Sequence, residues 1–93
     1  MTKEGQLRVY HIQNGNMAHQ IEIESPQQAI SLINQWADED LHNPRIEFNA
    51  FGLEEFSEDM LNEDAKSEGW SEWYNNEGQD IMEIMDTLDD MLQ

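Results

Sequence analysis

The first part of the chain alternates between apolar and polar residues. Leu7–Gln13 and residues 17–24 are rich in β-branched and aliphatic side chains, and they flank the tripeptide Asn14-Gly15-Asn16. Short alternating segments around an Asn-Gly pair are typical of a β-hairpin. We therefore expect two antiparallel strands joined by a tight turn.

The hydrophobic pattern also predicts how the two strands pair. A two-residue loop at Asn14-Gly15 would place Val9 opposite Gln20, whereas a three-residue loop places Val9 opposite Ile21 and, two residues along, Leu7 opposite Ile23. A strand must keep its apolar side chains on one face. We expect the three-residue loop, with Gly15 or Asn16 in the left-handed conformation.

A helix follows the hairpin. Ser25 is a typical N-cap, Pro26 suits the first helical position, and Gln28 can complete a capping box. Asn43-Pro44 predicts the end, so the helix should span Pro26–Leu41. Its apolar stripe consists of Ala29, Ile30, Ile33, Trp36 and Ala37.

The middle of the chain is less regular. Residues 45–56 read as a strand pair or as one bent strand, because Ile46, Phe48 and Ala50 share one parity while Phe51 and Leu53 share the other. The change of parity falls near Gly52, which predicts a bulge or turn there. Residues 57–67 are acidic, and we expect them to be irregular.

The last third repeats the order of strand and helix. Residues 69–75 read as a strand with Trp70 and Tyr74 on one face and Trp73 on the other. Asn75-Asn76-Glu77-Gly78 is a turn, and Asp80 with Glu83 forms a second capping pair, so a helix should span 81–92. The expected architecture is a single α+β domain over residues 1–93, in the order ββαββα. We expect a mostly antiparallel sheet with both helices on one face.

Charge is the most unusual property of this chain. Residues 54–93 carry fourteen carboxylates against one base, Lys66, and the whole chain has a formal net charge of −17. Such a charge disfavours direct contact with nucleic acid or anionic membranes and favours a basic partner surface. The chain has no cysteine and no apolar run near the length of a membrane helix, so a soluble cytoplasmic protein is the expectation.

The sequence offers little for catalysis. Ser57, Ser67 and Ser71 lie in no nucleophile motif, and the glycines form no phosphate-binding loop. His11 and His19 face each other in the expected register, but without a third ligand they are a weak metal signal. We interpret them as edge or boundary residues. We expect no enzyme activity, no cofactor, and no catalytic or metal-ligating residues.

The acids of the last helix have three possible explanations. Asp86, Asp89 and Asp90 lie near a helix C-terminus, where negative charge is unfavourable. They form a solvated face, a docking face for a basic partner, or a weak divalent-metal site. The docking interpretation selects five partner-binding residues, which combine one strand position, its aromatic neighbour and the helix acids: Glu72, Trp73, Glu83, Asp86 and Asp90.

Two segments carry a resemblance to known proteins. Residues 51–56 (FGLEEF) and 69–81 (GWSEWYNNEGQDI) resemble the tails of small acidic proteins of Gram-positive phages and prophages. The resemblance rests on an aromatic and acidic pattern and brings no functional residues. It implies a protein that binds and blocks a host protein. A more specific version is a DNA mimic that binds a nucleic-acid-binding host protein. The alternative function is a weak divalent-metal-binding or metal-stabilised small domain.

Overall fold

The expected α+β architecture is confirmed. The computed structural model describes residues 3–59 and 68–91, with side chains up to residue 88. In this part of the chain, four strands form one antiparallel sheet in the order β2-β1-β3-β4. The elements are β1 (Leu7–Gln13), β2 (Asn16–Ile23), α1 (Pro26–Leu41), β3 (Asn49–Phe56), β4 (Trp70–Glu72) and α2 (Ile81–Met91). The expectation for residues 57–67 falls, from residue 60 onward, outside the described residues.

The hairpin has the expected register but not the expected loop. Val9 pairs with Ile21 and Leu7 with Ile23, as the hydrophobic pattern requires. The turn, however, is the two-residue Asn14-Gly15, with φ of 50° and 83°. The extra residue is instead a β-bulge at Ala18, because His11 pairs with His19 while Ile12 pairs with Met17. The three-residue loop was therefore wrong, and the bulge produces the same register.

Helix α1 begins and ends where the sequence predicts. The Ser25 hydroxyl accepts a hydrogen bond from the Gln28 N–H at 3.4 Å, and Pro26 is the first helical residue. The Gln28 side chain reaches back to accept from the Glu24 N–H at 2.6 Å. The second bond pairs the Glu24 N–H just before the helix, and the first supplements a bond from the Gln28 N–H to the Ser25 carbonyl at 3.2 Å.

Strand β3 is one continuous strand, so the bulge or turn expected at Gly52 is wrong. The register with β1 is unbroken from Leu7↔Glu55 to Gln13↔Asn49. A glycine is required here for a different reason: a Cβ at Gly52 would overlap the ring of Tyr10 on the neighbouring strand. Residues 45–48 lie outside the strand, and the Asn14 side chain holds them by accepting from the Glu47 and Phe48 N–H groups.

The core lies between the sheet and the two helices. Trp70 and Trp73 face opposite sides of the sheet, as expected; Trp73 packs against the core and Tyr74 is 57% exposed. Asp80 caps α2 by accepting from the Glu83 N–H at 2.9 Å. The buried apolar cluster draws on β1, β2, β3 and both helices, which places the helices on one face: Leu7, Val9, Ile23, Ala29, Ile33, Trp36, Leu53 and Ile81.

Candidate functional site

The predicted partner-binding residues lie on two elements. Glu72 belongs to β4 and lies half-buried on the sheet face opposite the helices, whereas Trp73 has the opposite parity and packs against the core. Glu83 and Asp86 are exposed on α2. Asp90 also belongs to α2, but its side chain lies outside the described residues. Glu72 and Trp73 therefore do not share a surface.

A row of charged side chains crosses the helix-free sheet face. Arg8 pairs across the strands with Glu22 on one side and Glu54 on the other, and Glu54 pairs with Glu72. The Arg8 Nη2 is 3.0 Å from Glu54 Oε1, and its guanidinium carbon lies 4.0 Å from the centre of the Trp70 ring. One cation thus serves a row of three carboxylates. Glu54 and Glu72 are like charges directly opposite each other, which is a destabilising arrangement.

Burial and neighbouring carboxylates change the proton affinity of Glu72. Burial raises the pKa of Glu72, and the charges of Asp80 and Glu54 raise it further. A hydrogen bond from Tyr10 lowers this pKa but does not outweigh the other effects. The Tyr10 hydroxyl donates to Glu72 Oε2 at 3.5 Å. Burial and the same carboxylates raise the pKa of Tyr10 to about 12. The fold therefore holds Glu54 of β3 and Asp80 of the α2 cap close enough to Glu72 of β4 to repel its charge.

The remaining acids of the described chain face solvent. All its described carboxylate side chains are exposed except those of Asp40, Glu54, Glu72 and Asp80. Within the same residues, Arg8–Glu54 is the one ion pair between an arginine or lysine and a carboxylate. Folding therefore leaves most of the negative charge of the described residues on the surface and without a basic partner among those residues.

A buried carboxylate of α1 joins three elements, α1, β1 and β3. Asp40 is 6% exposed and accepts three hydrogen bonds: at Oδ2 from His11 Nε2 (2.7 Å) and Asn49 Nδ2 (2.9 Å), and at Oδ1 from Gln13 Nε2 (2.6 Å). Burial alone would raise the pKa of Asp40, but the hydrogen bonds from Asn49, His11 and Gln13 outweigh it and lower the pKa. Asp40 is therefore an ionised carboxylate fixed by three donors.

His11 and His19 form one flat unit above Trp36. Their Nδ1 atoms are 3.0 Å apart, their planes differ by 5°, and their centres are 5.2 Å apart. That separation is the one expected when two coplanar imidazoles share a hydrogen bond between facing nitrogens. The Trp36 ring is nearly parallel to both, at 4.8 Å from His19 and 5.2 Å from His11. Phe51 lies 4.9 Å from His11.

The hydrogen bonds fix the proton positions in the neutral pair. An ionised Asp40 can only accept, so His11 Nε2 must carry a proton. Neutral His11 then has a lone pair at Nδ1, and the proton between the rings belongs to His19 Nδ1. The chain of bonds runs from the exposed His19 through buried His11 to Asp40. Its physical effect is to lock β1, β2, β3 and the end of α1 together.

This cluster corrects the expectation for His11 alone, because His19 lies exposed on the edge strand β2, as expected. His11 is 1% exposed and belongs to the interior, not to an edge or boundary. The sequence held a signal for its partner, because the buried stripe Ala29, Ile33, Trp36 continues at helical spacing to Asp40. An acid at a stripe position requires a buried donor, and His11 on the inward face of β1 supplies it.

Comparisons with protein-family models, curated proteins and solved structures found no significant match. Among the described residues, no group of three or more histidine, cysteine, aspartate or glutamate side chains is placed to hold a metal ion. No helix in that part of the chain has the length and apolar character to span a membrane. The site must therefore be interpreted from its own geometry and charge.

Proposed function

We propose that this protein is a non-enzymatic acidic binding protein whose carboxylates engage a basic surface of a partner protein. The observation that supports the proposal most is the charge left on the folded surface. Apart from Arg8–Glu54, the described residues contain no ion pair between an arginine or lysine and a carboxylate, in a chain with a formal net charge of −17. A partner with complementary charge would remove that imbalance.

The position of the acids supports the same proposal. Helix α2 has no basic residue in its last turn, although cations are favourable there and acids are unfavourable. The Glu54–Glu72 pair adds a second local repulsion. Placements that oppose folding are maintained more readily when they contribute to binding. Glu72, Glu83, Asp86 and Asp90 are the carboxylates we assign to the interface, and Trp73 is assigned a supporting role from the core side.

The resemblance of residues 51–56 and 69–81 to phage proteins makes the proposal more specific. The partner is then a host protein in the cytoplasm of a Gram-positive bacterium. Carboxylates that replace phosphates would direct the protein to a nucleic-acid-binding host protein, as a DNA mimic.

Capture from a Gram-positive lysate tests the proposal. The immobilised protein should retain a basic protein at low ionic strength and release it as NaCl approaches about 0.3 M, because screening weakens the attraction between opposite charges. A matched comparison uses two double variants with the same change of charge, each in the last turns of a helix. Asp86→Lys with Asp90→Lys should abolish capture, whereas Asp38→Lys with Glu39→Lys in α1 should retain it.

Three outcomes separate the versions of the proposal. Release of the captured protein by mixed-sequence duplex DNA supports DNA mimicry, and retention in excess DNA contradicts that version alone. If the immobilised protein captures no protein that is released by salt, the proposal as a whole is contradicted. The metal alternative predicts instead that Ca²⁺ raises the melting temperature more than NaCl of equal ionic strength does.

A further inference from the structure

In the described part of the chain, strand β2 is an exposed edge of the sheet, and the stretch that follows the bulge at Ala18 is regular. The strand lies at the end of the sheet, next to β1 alone, and seven of its eight residues are exposed. Edge strands are commonly protected by lysine, proline or a covering element. β2 (NMAHQIEI) contains neither lysine nor proline, and Glu22 is its only ionised side chain at neutral pH when His19 is neutral.

The backbone groups that face outward from β2 can be identified. The Phe56 N–H donates to the Gln6 carbonyl at 2.9 Å, so even-numbered residues of β1 bond to β3 and odd-numbered residues bond to β2. Ile21 and Ile23, opposite Val9 and Leu7, therefore direct their backbone groups at β1. Gln20 and Glu22 direct theirs away from the sheet, where the described chain supplies no partner.

An apolar groove runs beside this edge. It has a volume of about 380 Å³ and lies between the end of β2 and the first turns of α1, lined by Ile23, Gln27, Gln28, Ser31 and Leu32. Ile21, on the same face of β2, is 39% exposed. An added strand would place alternate side chains over this groove while its backbone bonds to Gln20 and Glu22.

We propose that β2 and the groove beside α1 form a docking site for an extended, basic segment of a partner protein, which adds to the sheet as a fifth strand. The inference rests on the proposed function and adds a second contact for the same partner, at the edge of the sheet opposite to β4. Charge selects the occupant: a second copy of this chain would bring another −17 to the edge, whereas a basic segment would place its cations near Glu22 and Glu24.

The test uses a defined probe: a capped seven-residue peptide of alternating lysine and valine. Two further peptides carry N-methyl groups, on the valine amides in one and on the lysine amides in the other. All three have the same charge. In an added strand, only one of these two sets of amides faces β2. One methylated peptide should therefore bind at least about tenfold more weakly than the parent, and the other should bind as the parent does.

A variant of the protein gives a second test. Gln20→Pro removes one outward N–H and no bond to β1, a position that tolerates proline in an edge strand. It should weaken binding of the parent peptide about tenfold or more. Gln20→Thr is the control and should bind normally. On binding to the unaltered protein, the Gln20 and Glu22 amide protons should exchange more slowly with solvent.

The outcomes distinguish the groove from the acidic surface. If all three peptides bind the protein equally, and if Gln20→Pro binds the parent peptide as the unaltered protein does, the strand-addition site is overturned. Strong salt dependence of that binding would leave the proposed function intact. Absence of binding by the parent peptide also overturns the site, and capture from lysate then tests the acidic surface independently. If the protein alone forms a dimer, and if Gln20→Pro dissociates that dimer, the occupant of the site is a second copy of the chain. That result overturns the proposal. If Gln20→Pro fails to fold, the methylated peptides decide.

Discussion

Removing the buried carboxylate tests the polar cluster most severely. In Asp40→Leu, the His11 Nε2–H loses its only acceptor in a position that is 1% exposed. Because His11 is the neutral imidazole, this leaves a buried neutral donor without a partner, which costs about 1–3 kcal/mol. Gln13 and Asn49 are half-buried and can turn to water, so they add less. A 93-residue domain has roughly 5–14 kcal/mol of stability, so the variant should lose a measurable part of it.

Urea unfolding followed by tryptophan fluorescence measures this loss, since Trp36 lies against both histidines. The control is the double variant His11→Phe with Asp40→Leu, which leaves no buried donor unpaired and places a phenyl ring beside Trp36 and Phe51. It should be more stable than Asp40→Leu alone by at least about 1–2 kcal/mol. A loss below about 1 kcal/mol in the single variant, or a double variant no better than it, would refute this account of the cluster.

Four further predictions follow from charge and packing. Because the pKa of Asp40 is lowered by folding, its ionised form stabilises the fold above the unfolded pKa, and this contribution is lost as pH falls below about 4. Asp40→Asn should therefore be less stable at neutral pH and should flatten the acid limb of a plot of unfolding free energy against pH. An unchanged acid limb would contradict this. Folding raises the pKa of Glu72, so the contribution of this side chain to stability is lost as pH rises and it ionises. Glu72→Gln should therefore stabilise the domain at pH 7 by up to about 1 kcal/mol. As the control, the variant and the unaltered protein should be equally stable at acid pH. Gly52→Ala should lower the free energy of unfolding by about 1–3 kcal/mol, because the new methyl group meets the Tyr10 ring. This loss should be smaller when Tyr10 is replaced by threonine. An equal loss with tyrosine and with threonine at position 10 would exclude that contact as the cause. The melting temperature should rise from very low salt to about 0.1 M NaCl, where the Debye length is about 10 Å; a flat or falling trend would mean that the surface charges do not oppose folding.

Local signals account for the elements that the sequence predicts well. The Ser25-Pro26 cap and the Asp80 cap determine the starts of both helices through short-range hydrogen bonds, which leave a clear pattern in the sequence. The hairpin register was also predictable, because only one pairing keeps the apolar residues of both strands on one face. The bulge at Ala18 was not, since one extra residue in the loop or in the strand gives the same register.

Contacts between distant residues account for the errors. The glycine at position 52 is explained by Tyr10, which lies directly opposite it on the neighbouring strand β1. No local pattern in the sequence distinguishes that contact from a bulge. The polar cluster depends on Asp40, His11 and Asn49, which come from three elements. The position of Asp40 in the α1 stripe was visible in the sequence, but its donors became apparent only once the sheet had been assembled. The outward amides of Gln20 and Glu22 likewise depend on strand order, which the pattern did not predict.

The acidic surface is proposed to serve binding, and one paired measurement tests this role. Unfolding free energy and affinity for the captured partner are measured for the unaltered protein and for Asp86→Lys with Asp90→Lys. Lysine suits a helix C-terminus better than aspartate, and a lower net charge reduces self-repulsion, although the two lysines still repel each other at i,i+4. If the acids serve binding, the variant should be at least as stable as the parent and should no longer bind. A variant that is more stable and binds every partner as tightly as the parent would contradict this role.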